Sequence, residues 1–189
     1  MRIKFHLGRL HRRNACALAL TLVCAGLCGC VGIPDNATAV RNFELERYLG
    51  TWYEIARLDH RFERGLSRVH AEYVMRDDGG VRVLNSGYNE QDGKWEHAVG
   101  KAYFVDKPDI GRLKVSFFGP FYGAYNVVVL DKKRYSYSMV ISSNTSYLWI
   151  LARGPTLDSA ILDELLATAR ELGFNTDELI YPEHESVTN

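Results

Sequence analysis

Beyond position 30 the chain has no cysteine: Cys16, Cys24, Cys28 and Cys30 are all it carries among 189 residues. A disulfide framework, a cysteine zinc site and a thiol nucleophile are thereby excluded from everything downstream. The first 29 residues hold no acid, only Arg2, Lys4, Arg9, Arg12 and Arg13, so a formally neutral total hides two unlike parts. Residues 30–189 carry 18 basic and 23 acidic side chains, a net charge of about −5, and nucleic acid is not an expected partner. No Gly-x-Ser-x-Gly, His-x-x-x-His or His-Glu-x-x-His string occurs. The histidines of the body, His60, His70, His97 and His184, are scattered and read as surface or turn residues. Neither enzymatic activity nor a metal or other cofactor is expected. The apolar run Ala15 to Gly26 has twelve residues, against the roughly 20 that a spanning helix needs.

What the N-terminus does have is the layout of an export signal, a basic start followed by that short apolar run. Leu27-Cys28-Gly29-Cys30 then resembles a bacterial lipobox, with Cys28 departing from the usual small or hydroxyl residue. The resemblance implies that residues 1–29 are removed and that Cys30 is lipidated, giving a membrane anchor of several acyl chains. One chain holds a protein only marginally; two or more hold it stably. Val31, where an inner-membrane retention signal has Asp, implies the outer membrane, with the protein facing the periplasm. An ordinary secretory signal with a free Cys30 is the alternative. Residues 30–41 lack hydrophobic periodicity and contain Gly32 and Pro34, so they read as the lipidated end and a tether.

Between about 50 and 153, turn signals such as Asp77-Asp78-Gly79-Gly80 and Gly119-Pro120 recur every 8–15 residues. The runs between them are rich in Val, Tyr, Phe and Ile, and several alternate: Leu113, Val115 and Phe117 against Arg112, Lys114 and Ser116. Period two marks half-buried strands. Eight are expected, at about 52–58, 69–76, 81–88, 94–105, 112–118, 122–130, 135–141 and 147–153. After Gly154-Pro155 the spacing of Ile161, Leu162, Leu165, Leu166, Ala169 and Leu172 predicts a helix over 157–172, capped by Thr156 or Asp158 and stopped at Gly173. The expected fold over 42–189 is all-β, an eight-stranded antiparallel up-and-down β-barrel with this one C-terminal helix packed on its wall. Leu179-Ile180-Tyr181 suits a ninth short strand. Runs 122–130 and 147–152 are apolar on both faces, so one face fills the barrel and the other meets the helix, a membrane or a second copy in a homodimer.

Gly50-Thr51-Trp52-Tyr53 resembles the Gly-x-Trp motif opening the first strand of lipocalins, Tyr125 to Asp131 their second signature, and Trp149 to Arg153 their third. The strings Arg47 to Leu66 and Lys114 to Val127 are similar to the bacterial lipocalins, the lipoprotein branch of that family. The resemblance implies structural roles for Gly50, Trp52 and Arg153: Trp52 plugs the closed end, and Arg153 lies across its ring. It also implies cargo, namely fatty acids or phospholipids including lysophospholipids, carried, stored or scavenged in the barrel.

If Trp52 points inward, alternation sends Glu54, Ala56 and Leu58 inward too. Tyr122, Ala124 and Asn126 form the expected inner face of the sixth strand, and Tyr147, Trp149 and Leu151 that of the eighth; Tyr88 and Met139 are expected to join them. A single bulge would invert the remainder of any strand. Small alanines beside large aromatics suggest space, although a barrel filled by its own side chains, serving as a structural lipoprotein, fits the same residues. The resemblance makes the loop Asp59 to Arg68 the guard of the open mouth, with Arg61, Arg64 and Arg68 for a phosphate and Phe62 and Leu66 for acyl chains; a solvated charged loop explains the same residues equally.

Overall fold

The computed structural model describes residues 31–184. Cys30, the expected lipidation site, and the signal peptide lie outside the described residues. Nine strands form one sheet: β1 (Gly50–Leu58), β2 (Leu66–Met75), β3 (Val81–Asn89), β4 (Lys94–Phe104), β5 (Arg112–Ser116), β6 (Gly123–Leu130), β7 (Tyr137–Ile141), β8 (Leu148–Ala152) and β9 (Leu179–Ile180). Each of β1 to β8 pairs antiparallel with the next, and β8 returns to β1, which closes the barrel and leaves no free edge among the eight. One turn of helix, α1 (Leu45–Tyr48), leads into β1, and α2 (Ser159–Glu171) follows β8.

The helix starts where the capping chemistry puts it. Asp158 accepts from the backbone N–H groups of Ala160 (2.9 Å) and Ile161 (3.3 Å), and Gly173 ends it with φ +85°. Its buried residues Leu165 and Ala169 join Ala56, Leu58, Met139, Ile141, Leu148 and Ile150 in a core between helix and wall. A second core fills the closed end of the barrel and includes Trp52, Tyr48, Tyr73, Val83, Val127, Val140 and Leu151. The two-faced apolar strands are thus covered on the outside by the chain's own helix.

Residues 31–41 are bound to the barrel rather than hanging as a loose tether. Ala37 and Ala39 are buried, Val40 N–H donates to the Val127 carbonyl, and Gly111 N–H donates to the Val40 carbonyl. Asn126 Nδ2 donates to the Gly32 carbonyl at 3.0 Å. The expected loose tether is thus corrected: backbone hydrogen bonds and the side chains of Ile33, Ala37 and Val40 hold the segment to the barrel, contacts that need no hydrophobic period.

A bulge on β1 and the pairing of β6 with β5 decide which residues face inward. On β1 the register against β8 shifts between Glu54 and Ala56. Trp52 and Glu54 face the interior; past the bulge Arg57 does, opposite Trp149, while Ala56 and Leu58 face the helix. The expectation that Ala56 and Leu58 line the cavity is therefore corrected. On β6 the inner positions are Gly123, Tyr125 and Val127, paired with or adjoining Val115 and Leu113, so the expected set Tyr122, Ala124 and Asn126 is the opposite face. Met139 pairs with Val129 on the helix side, leaving Ser138 and Val140 inside. Tyr88 alternates with the inner positions Val83, Asn85 and Gly87 and stands outside, its ring 4.5 Å from the Arg68 guanidinium carbon.

Candidate ligand-binding cavity

At the closed end, Gly50 adopts φ +88°, a conformation favouring glycine, and lets the chain turn from α1 into β1. Trp52 is fully buried, and its Nε1 donates to the Tyr48 carbonyl at 2.7 Å. The Arg153 guanidinium carbon sits 4.0 Å from the Trp52 ring centroid, while Nη1 and Nη2 donate to the carbonyls of Thr51 and Arg47. Hydrogen bonds to three segments, with Nε reaching Tyr135, fix the cation over the ring. Arg153 is half-buried, so the pair is worth about 0.5–2 kcal/mol, between the exposed and desolvated limits. Above Trp52 the hydroxyls of Tyr48, Tyr73 and Tyr125 meet at 2.9 Å, with Ser138 Oγ 3.0 Å from Tyr48. Burial pushes the Tyr48 hydroxyl up to about 12 and that of Tyr73 further, so the cluster is a set of neutral donors and acceptors.

Over this floor lies a narrow chamber of about 100 Å³, lined by Trp52, Tyr73, Val83, Leu113, Tyr125 and Leu151 among others. Above it a wider chamber of about 570 Å³ opens towards the β1–β2, β5–β6 and β7–β8 connections. Glu63, Val69, Asn85, Val115, Phe117 and Trp149 border both, so the two chambers adjoin. The barrel is not filled by its own side chains.

At the junction stands a buried polar cluster. Arg57 is 1% exposed; its Nη1 donates to Glu54 Oε1 at 2.6 Å and its Nη2 to the Glu63 carbonyl at 2.7 Å. Glu63 Oε2 accepts from Trp149 Nε1 at 3.2 Å, with Arg57 Nε at 4.0 Å and His60 Nε2 at 3.1 Å. The His60 contact is too bent for a well-formed hydrogen bond, and neither ring nitrogen has another partner. Burial first, and the Glu63 charge second, hold the Glu54 carboxyl well above the ordinary range. Burial opposes ionisation of Glu63 as well, but His60, Glu54 and Trp149 together outweigh it and pull that carboxyl below the ordinary range. The two carboxyls are thus pushed in opposite directions.

Of the expected cavity residues, Glu54 lines the narrow chamber, Trp149 both chambers and Tyr147 the wide one; the rings of Tyr147 and Trp149 stack at 5.9 Å. Tyr122 and Ala124 border the wide chamber from the opposite register, with Lys114 Nζ 5.1 Å from the Tyr122 ring centroid. In the mouth loop, Phe62 and Leu66 border the wide chamber. Arg61 and Arg64 do not: Arg64 pairs with Asp59 at 2.5 Å, and Arg61 lies 5.4 Å from the Phe62 ring centroid. Sequence reasoning missed Arg57 and Glu63 and placed His60 on the surface, whereas His60 is 6% exposed between Phe62, Tyr147 and Trp149. A signal was present: Glu54 and Arg57, two charges three apart in an apolar strand, cannot share a face without a bulge.

A closed antiparallel barrel with a plugged floor and an aromatic cavity open at one end defines a small-ligand-binding β-barrel. Residues 43–184 match the lipocalin-like domain family. The chain belongs to the lipocalins. It is 54% identical over 169 residues to outer membrane lipoprotein Blc of Vibrio cholerae, covering 89% of this chain and 99% of that one. It is 51% identical over 167 residues to outer membrane lipoprotein Blc of Escherichia coli K12, covering 88% and 93% respectively. The structure of insecticyanin from the tobacco hornworm shares the fold, with a TM-score of 0.64 and 24% identity over 82% of this chain and 87% of that one.

Proposed function

We propose that the protein is a binding protein rather than an enzyme, an outer-membrane lipoprotein held through lipidated Cys30 and facing the periplasm. Its cargo is a single-chain lipid, a fatty acid or lysophospholipid, which it carries, stores or scavenges. The observation that carries this reading is the two adjoining chambers, lined at the blind end by apolar and aromatic side chains whose tyrosine hydroxyls bond one another, with charged groups confined to the junction and mouth. Ligand pockets have this composition, apolar with a few placed polar groups. The outer-membrane placement rests on the lipobox at Cys30 and on the relatives that bear the name outer membrane lipoprotein.

Titration of delipidated protein with palmitate or a C16 lysophospholipid tests the cargo. Trp149 borders both chambers, so its fluorescence should be quenched with saturation at micromolar ligand or below. No saturable change with any lipid class overturns the reading.

A further inference from the structure

Residues 30–189 carry a net charge of about −5, yet one outer wall of the barrel is basic. Arg82 on β3 stands directly opposite Lys101 on β4, and both are exposed. Lys101 has Ser116 of β5 on its other side, and Lys114, two positions before Ser116, shares that outer face. Like charges directly opposite each other across a strand pair are destabilising. Among the described residues no carboxylate pairs with Arg82, Lys101 or Lys114. The nearby acids Asp78 and Asp106 are taken by Arg76 at 2.8 Å and Arg112 at 2.6 Å. The cations have rings beside them: Lys114 Nζ lies 5.1 Å from the Tyr122 ring centroid, and the Tyr122 and Tyr103 rings are 6.5 Å apart. Val99, 60% exposed, continues the same face of β4. Lysine and arginine interleaved with tyrosine suit the interface of an anionic bilayer, where the cations meet phosphates and the rings sit among the headgroups.

The N-terminal segment supplies a second, independent observation. The Val31 carbonyl accepts from Arg112 Nη2 at 3.3 Å, and the Gly32 carbonyl from Asn126 Nδ2 at 3.0 Å. Arg112 is on the outer face of β5, two positions from Lys114, which is about 7 Å along a strand. Cys30 directly precedes Val31 in the sequence, so an acyl anchor on it is attached next to the basic wall. On the far side of the barrel, α2 exposes Asp163, Glu164 and Glu171, which an anionic surface repels.

We propose that the outer wall of β3, β4 and β5 lies against the anionic lipid surface in which the protein is anchored, and so sets how the barrel stands on the membrane. The proposal rests on the reading that Cys30 is lipidated and adds the face presented to the bilayer. Lipid phosphates there supply the counter-charge that Arg82 and Lys101 lack within the fold.

Because the body has no cysteine, a single nitroxide can be placed on the lipidated protein, at Val99→Cys on the wall or at Asp163→Cys on α2. On vesicles of phosphatidylethanolamine and phosphatidylglycerol, the label at position 99 should be severalfold less accessible to an aqueous nickel chelate than on phosphatidylcholine vesicles. The label at position 163 should be equally accessible on both. Lys101→Glu combined with Lys114→Glu should abolish the difference at position 99. So should salt at roughly 0.5 M, where the screening length falls to a few ångströms. Lys101→Glu should not lower the melting temperature, since it sets opposite charges across β3 and β4. A label at position 99 that is as accessible on anionic as on neutral vesicles, or protection that survives the double charge reversal, overturns the inference. Protection that follows protein density rather than lipid charge assigns the wall to a second copy and overturns it too. Protein that floats with vesicles of neither composition overturns the lipidation reading instead.

Discussion

Glu54 and Glu63 lie on either side of Arg57, yet their titrations should act on stability in opposite senses. For Glu54 the folded protein holds the proton more tightly than the unfolded chain, whose carboxyl has the ordinary value of 4.5. Stability contributed this way is complete below that value and is lost as pH rises through the raised folded pKa. For Glu63 the folded pKa is depressed, so its contribution is present above 4.5 and is lost as pH falls through the lowered value. Glu54→Gln isolates the first effect, because an amide can still accept from Arg57 and donate to Glu63 without ever ionising. Urea midpoints measured from pH 5 to pH 8 should fall with rising pH in the parent protein more steeply than in Glu54→Gln. Equal slopes in the two proteins would mean that Glu54 is already ionised throughout that window. Glu63→Ala is the contrasting change: it leaves Arg57 facing a neutral acid and should cost about 3–5 kcal/mol, the range for breaking a buried ion pair.

At the scale of elements, the bulge on β1 is what turns a strand into a wall with a functional side. Strict alternation from Trp52 would put Ala56 and Leu58 inside and send Arg57 out against α2. Instead the extra residue, Ile55, lets Arg57 reach Glu54 and Trp149 while Ala56 and Leu58 pack on the helix. Deleting Ile55 should leave Arg57 inside and Leu58 under α2, since it removes only the extra residue, whereas inserting one alanine after Ile55 should drive Arg57 into the apolar core under α2 and pull Leu58 out of it. The insertion should cost more than any single conservative substitution on β1, and thermal unfolding should show it before any binding assay does; an insertion protein that melts with the parent would show that the strand re-registers freely. This explains where sequence pattern stopped. Strand number, order and helix were legible from turn residues and period, and the capping Asp158 from its chemistry. Trp149 and Tyr147 were legible because β8 is free of bulges. The inner face of β1 was not, since a register shift interrupts it, and that of β6 was not, since a strand apolar on both faces gives no sign of which set turns inward. Nor was the His60–Glu63 part of the site, which sits on a loop where no periodicity applies.

The molecule as a whole closes its barrel with help from its far end. β1 pairs directly with β2 only from Gly50 to Tyr53. Above that point the C-terminal segment takes the place of β2: Ile180 and Leu179 pair with Arg57 and Leu58, and the Glu183 carbonyl accepts from Arg68 N–H at 2.8 Å. His184 Nε2 reaches the Glu54 carbonyl at 2.7 Å, tying the strap to the strand that carries the junction cluster. The seam between β1 and β2 is thus filled by residues more than a hundred positions later in the chain, beside the wall that holds Glu54 and Arg57. A chain ending at Glu178 should still form the eight main strands, whose ladders do not involve the strap. It should lose about 1–3 kcal/mol for the two hydrogen bonds to Arg68 and Glu54 alone. Water would then reach the backs of Glu54 and Arg57, weakening the apolar burial on which an acyl chain depends. Hydrogen exchange gives the local reading: the Arg68 amide should lose its protection in the truncated chain while amides of β6 and β7 keep theirs. Lipid affinity should fall in the same protein. Truncation that frees the Arg68 amide but leaves affinity unchanged would show that the strap supports the fold without sealing the cavity.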